Sequence, residues 1–143
     1  MLAVIKAPGE PPCVSEISGK PASVESVIGG TARRRNARVL VEGKERVLSI
    51  YHRSAQGLAR PNIVRRGEII RGTVLATGRG KEDAPAELTP EEARAVCILL
   101  ERLDARRGEN AEARRREQNR LARQRYWGRR AREWIHTASV PRP

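Results

Sequence analysis

The sequence predicts an α+β fold: a small, mainly antiparallel sheet with two helices on one face, followed by an arginine-rich helical arm. Three observations carry this expectation. Runs rich in β-branched residues recur between residues 38 and 77, and two apolar stripes at helical spacing each open on a proline, Pro21 and Pro90. The charge is also lopsided. The stretch Arg106–Arg132 holds eleven arginines against three glutamates, which is +8 of the chain's net +12. Residues 1–105 carry seventeen basic and thirteen acidic side chains. The expected organisation is therefore a small α+β domain over 1–105 and a basic helical arm and tail over 106–143. A chain of 143 residues has room for one core. With no Phe, that core must be built from Val, Ile, Leu and Ala.

Taken in order, Leu2–Lys6 reads as a first strand stopped by Ala7-Pro8-Gly9, and Cys13–Ile17 as its partner. Pro21 opens a short helix with Val24, Val27 and Ile28 on one side, and Gly29-Gly30 ends it. A hairpin follows, Arg38–Val41 and Arg46–Tyr51 flanking Glu42-Gly43-Lys44-Glu45. Gln56–Asn62 is turn-rich and expected to be irregular. Glu68–Thr77 reads as one long strand, with Gly72 marking a bulge or a close backbone approach. Arg79–Thr89 is a polar linker. Thr89-Pro90-Glu91-Glu92 then spells a capping box with proline at the first helical position. The stripe Ala93, Val96, Cys97, Leu100, Leu103 follows, and the same spacing continues as Arg107, Asn110, Arg114, Glu117. That face stops being buriable at Leu103, so the core ends there, with Gly108 a potential break and Asn110 a cap for a second helix.

Few residues point to catalysis, and the chain is read as not an enzyme. Glu42-Gly43-Lys44 has the spacing of a nuclease core, but both aspartates, Asp83 and Asp104, follow it. His52 and His136 stand alone, each expected at the surface or half-buried, so no metal or other cofactor is implied. Gly78-Arg79-Gly80-Lys81 lacks the rest of a phosphate-binding loop. Cys13 and Cys97 fall in different elements and are expected to be unpaired thiols, Cys97 in the core. The apolar run Leu2–Ile5 is too short for a leader or a membrane span, which points to a cytoplasmic protein without a membrane partner.

Several motifs carry a family likeness. They are the opening strand running into Pro8-Gly9-Glu10-Pro11-Pro12, Glu16-Ile17 with the helix ending Ile28-Gly29-Gly30, Gly57-Leu58 with Pro61-Asn62, and Ile69–Gly78 before Leu88-Thr89. In these, residues 1 to about 100 resemble the domain of unknown function 3846 family, met in phages and integrative elements of gut Firmicutes. Thr31 and Arg60 depart from its pattern, where an aromatic and a proline are usual. The resemblance implies a mobile-element origin and an α+β fold, and no chemistry. Asn110–Glu117, with Trp127 farther on, is similar to the arginine-rich RNA-binding helices of phage antitermination proteins. Gln118 and Asn119 depart from that pattern.

The function expected is a non-enzymatic phage or mobile-element accessory protein whose arm binds RNA or DNA phosphates. The candidate nucleic-acid-binding residues are Arg114, Arg115, Arg116, Arg120, Arg123, Trp127, Arg129 and Arg130. Trp127 and Trp134, seven apart, share a helical face that either stacks on bases or packs on the domain or a second subunit. The alternative is a protein-binding modulator of a host regulatory or defence protein, its arm against an acidic surface.

Overall fold

The computed structural model describes residues 1–107 and 119–127. The chain divides into two units, Met1–Gly108 and Glu109–Pro143. In the first unit, β1 (Leu2–Lys6), β2 (Cys13–Glu16), β3 (Ala32–Val41), β4 (Lys44–Arg53) and β7 (Val74–Arg79) form an antiparallel sheet in the order β2-β1-β7-β4-β3. The short β8 (Pro85–Ala86) pairs with β7. A separate hairpin joins β5 (Pro61–Arg65) to β6 (Glu68–Arg71). The helices are α1 (Pro21–Ile28) and α2 (Pro90–Leu103). The α+β expectation holds for this unit.

Both helix starts follow from local chemistry. Thr89 Oγ1 accepts from the Glu92 N–H at 3.1 Å, and Glu92 Oε1 accepts from the Thr89 N–H at 3.0 Å, so the capping box is closed in both directions. Pro21 supplies the first turn of α1, which ends on Gly29 in a left-handed conformation.

The two helices lie on opposite faces of the sheet, not on one as the sequence led us to expect. Side chains alternate along a strand, so Val4, Ile50 and Ala76 point one way and Ala3, Tyr51 and Leu75 the other. The first set packs with Ala93, Val96 and Leu100 of α2 and with Ile63 and Ile70 of the β5–β6 hairpin. The second set packs with Val24 and Ile28 of α1. β1, β4 and β7 are apolar on both faces, and such strands need a cover on each side.

The stretch 68–77 is two strands rather than one. Glu68–Arg71 belongs to the hairpin and Val74–Arg79 to the sheet, and Gly72, at φ 79°, makes the corner between them. Gly72 therefore marks a change of sheet, and the turn-rich segment before it leads into β5. The β3–β4 strands also run longer than expected, because the connection is only Glu42-Gly43. That turn, like Arg66-Gly67 between β5 and β6, has positive φ at both residues, 51° and 75° in the first and 51° and 78° in the second. The supposed polar linker holds one tight turn at Lys81–Asp83 and β8.

Candidate nucleic-acid interface

Residues 119–127 of the second unit are helical. At 3.6 residues per turn, Arg120, Arg123 and Trp127 fall on one face, at positions i, i+3 and i+7. They line a shallow groove together with Asn119 and Gln124. Trp127 is 67% exposed, and the Tyr126 ring meets it edge-on at 5.5 Å between centroids. An exposed indole on the same face as two guanidiniums offers a π-face for stacking beside donors suited to phosphate oxygens. The other candidates, Arg114, Arg115, Arg116, Arg129 and Arg130, lie outside the described residues, as do Gly108, Asn110, Trp134 and His136.

A second basic surface, which the sequence reading did not single out, is assembled by the first unit. Arg35 and Arg38 come from the edge strand β3, Arg79 from the end of β7, and Arg65 and Arg66 from the β5–β6 turn. These five arginines line one groove with Asn36 and Val47. Arg65 donates from Nη2 to the Asn36 carbonyl, which ties the hairpin to the open edge of the sheet. Burial, and the neighbouring Arg66 and Arg35 guanidiniums, push the Arg65 pKa below its ordinary value. Carboxylates sit at the rim: Glu68 on Arg35 at 2.6 Å, Asp83 on Arg79 at 2.6 Å and on Arg34 at 3.0 Å, and Glu45 on Arg38 at 3.6 Å. Neither Arg65 nor Arg66 pairs with a carboxylate among the described residues. The available signals were the triplet Arg33-Arg34-Arg35 and the pair Arg65-Arg66, but they converge only through tertiary contacts, the Arg65 bond to Asn36 and the Arg35–Glu68 pair.

The most buried polar groups form a knot in which Lys6 and Asn62 are buried and Asp104 reaches the surface beside Arg106. Lys6, fully buried, donates from Nζ to Asn62 Oδ1 at 2.6 Å and pairs with Asp104 at 2.9 Å. Asn62 Nδ2 in turn donates to the Lys6 and Gly72 carbonyls at 2.7 and 2.8 Å. Burial raises the Asp104 pKa, but bonds from Lys6 and Arg106 outweigh it and hold the carboxyl at about 2. The knot joins β1, β5 and the end of α2, and no polar atom is left over for a ligand.

His52 is fully buried in β4, not at the surface or half-exposed as expected. Its Nδ1 lies 2.9 Å from the Arg53 carbonyl, and Arg35 Nε donates to its Nε2 at 3.1 Å. That pattern requires the neutral ring protonated on Nδ1. Burial, with Arg35 and Arg33 nearby, lowers its pKa. Its parity on β4, between the apolar Ile50 side and Arg35, gives it an acceptor's place in a structural bond. Glu42-Gly43 is the β3–β4 turn, and Cys13 and Cys97 are free thiols, exposed and partly buried respectively. Among the described residues no cluster of His, Cys, Asp or Glu could hold a metal ion, and no helix is long and apolar enough to cross a membrane. No protein-family model, curated protein or solved structure matches the chain.

Proposed function

We propose that this is a non-enzymatic accessory protein of a phage or mobile element that binds RNA or DNA through its arginine-rich arm. The observation that supports it best is the 119–127 face, where an indole 67% exposed stands in line with Arg120 and Arg123. A ring meant for packing gains most by leaving water, whereas one that stacks on bases must stay open in the free protein. Guanidiniums never lose their charge and can give two parallel hydrogen bonds to one phosphate. On this reading Arg114, Arg115, Arg116, Arg129 and Arg130 extend the same phosphate track.

The test is titration of the nuclease-treated full chain with RNA and DNA oligonucleotides at several salt concentrations. Arg120→Ala and Arg123→Ala should each flatten the salt dependence by about one unit of slope. Trp127→Ala should weaken binding about 5- to 150-fold with the slope nearly unchanged, as loss of one stacked base does. Equal affinity for the triple variant and the natural chain would end this reading.

A second reading, a modulator of an acidic host protein, draws on a different feature. Leu40 and Ile98, 71% and 51% exposed, flank an apolar groove between β3 and α2 whose polar members are Arg38 and Arg102. Nuclease-resistant association with a folded acidic protein, lost in Leu40→Asp, would favour it.

A further inference from the structure

We infer that the five-arginine groove on the first unit is a second phosphate site, which takes the sugar–phosphate backbone of a nucleic-acid strand independently of the arm. Its arginines come from three separate segments, at residues 35–38, 65–66 and 79, that meet only because the β5–β6 hairpin folds against the edge of β3. The Arg65 bond to the Asn36 carbonyl fixes that meeting. Like charges brought together repel, and the cost is visible at Arg65, whose charged form burial and its arginine neighbours disfavour. An anion placed between Arg65 and Arg66 relieves that repulsion. Glu68 and Asp83 hold Arg35 and Arg79 from the rim, and Glu45 reaches the largely exposed Arg38 only at 3.6 Å. Arg38, Arg66 and the Arg65 donors not used on Asn36 remain for a ligand.

The lining decides the chemistry. Val47 is the only apolar member, so the groove has no anchor pocket of the kind that gives a protein interface its affinity. What it offers is a row of planar donors, which matches successive phosphates and reads no base. The hairpin residue Arg66 sits at φ 51°, in a turn position where asparagine is the favoured residue. Arg66→Asn therefore removes a charge without harming the turn, which separates loss of binding from loss of fold.

The experiment uses the full chain and a short single-stranded DNA oligonucleotide, with binding followed against salt. Arg38→Gln with Arg66→Asn is compared with Arg94→Gln, an exposed arginine on α2 away from the groove. The same pair is then placed in a chain whose Arg114, Arg115, Arg116, Arg120 and Arg123 are Gln. The groove pair should flatten the salt slope by about 0.7 per lost phosphate contact and abolish the residual binding of the arm-neutralised chain. Arg94→Gln should leave the slope unchanged. If Arg94→Gln acts like a groove substitution, bulk charge and not a site is at work, and the inference is overturned. It is likewise overturned if a glutamate-rich peptide of equal charge binds as tightly with the same dependence on Arg38 and Arg66. Loss of all binding on neutralising the arm, with no effect of the groove pair, sinks this inference and leaves the arm reading intact. Binding that survives arm neutralisation in full and vanishes with the groove pair does the reverse.

Discussion

The arm helix and the sheet groove use the same side chain under opposite constraints. In 119–127 the arginines are neighbours in sequence and a single helical turn aligns them, so the face needs no tertiary fold to exist. In the groove, Arg35 and Arg79 are 44 positions apart and meet only through the pairing of β3, β4 and β7. The arm face carries an exposed ring. The groove carries none, and its guanidiniums are braced by Glu68, Asp83, Glu45 and the Asn36 carbonyl. Density of arginine in sequence therefore says little about how strongly a site is preorganised. Substitutions in the arm helix should therefore leave the stability of the first unit unchanged, whereas those in the buried and turn positions of the first unit should register in it.

The largest expected effect tests the rigid side of this contrast. Lys6→Met leaves Asp104 and the Asn62 carbonyl oxygen without their buried donor, and removing one partner of such a pair costs about 3–5 kcal/mol. Urea unfolding should show the midpoint falling accordingly, while Arg120→Ala stays within about 0.5 kcal/mol of the natural chain. A loss below about 1 kcal/mol for Lys6→Met would mean that the knot is not what holds β1, β5 and α2 together.

Next in size is an acid effect. The Asp104 carboxyl is held at about 2, below its ordinary value of 3.8. The paired form contributes stability that is fully present above the unfolded value and is lost as pH falls through the folded one. The contribution is about 2 kcal/mol, and it should disappear between about pH 4 and pH 2. Asp104→Asn should remove that segment of the stability–pH curve and lower the plateau above it. The arm helix has no acidic residue between 119 and 127, so its helicity should not follow the same titration.

How much of this was legible in the sequence depended on the range of the signal. The α2 start was readable because Thr89, Pro90 and Glu92 act on one another within a single turn. The α1 limits were readable for the same reason. The placing of the helices on opposite faces was not, since it depends on the parity of β1, β4 and β7 against helices distant in sequence. The split at Gly72 was hidden because Glu68–Arg71 and Val74–Arg79 have the same strand-like composition, and only pairing partners tell them apart. The knot of Lys6, Asn62 and Asp104 was hidden more deeply. A lysine at a strand end, an asparagine in a turn-rich stretch and an aspartate after a helix each look ordinary alone. In the arm, spacing aligned Trp127 with Trp134, which lies outside the described residues, and neither the groove it shares with Arg120 and Arg123 nor its exposure was legible.

A smaller effect sharpens the contrast from within the first unit. Glu42 and Arg66 hold the same position in two-residue turns, both at φ 51° and both followed by glycine. A non-glycine residue in that conformation is strained, and asparagine tolerates it better. Glu42→Asn and Arg66→Asn should each raise stability by about 0.5–1 kcal/mol in thermal unfolding. Only Arg66→Asn should weaken oligonucleotide binding, because only that turn faces the groove. If both raise stability and both leave binding unchanged, the groove does not contact the nucleic acid.

The smallest expected change in stability belongs to Trp127→Ala. A tryptophan buried in a core loses about 3–5 kcal/mol on truncation, through lost transfer energy and the cavity left behind. At 67% exposure Trp127 has little of that to lose, and its edge-on contact with Tyr126 is worth about 0.5–1.5 kcal/mol within the arm helix itself. The unfolding midpoint of the first unit should therefore not move beyond error. Helicity measured by circular dichroism should fall slightly, since the Tyr126–Trp127 contact is lost. Trp127 fluorescence should be solvent-exposed in the free chain and be quenched when an oligonucleotide stacks on the ring. A fall of several degrees in the midpoint, with fluorescence already shielded in the free protein, would show the indole packed against protein. The arm would then be part of the rigid half of the comparison, and the contrast between the two surfaces would fail at Trp127.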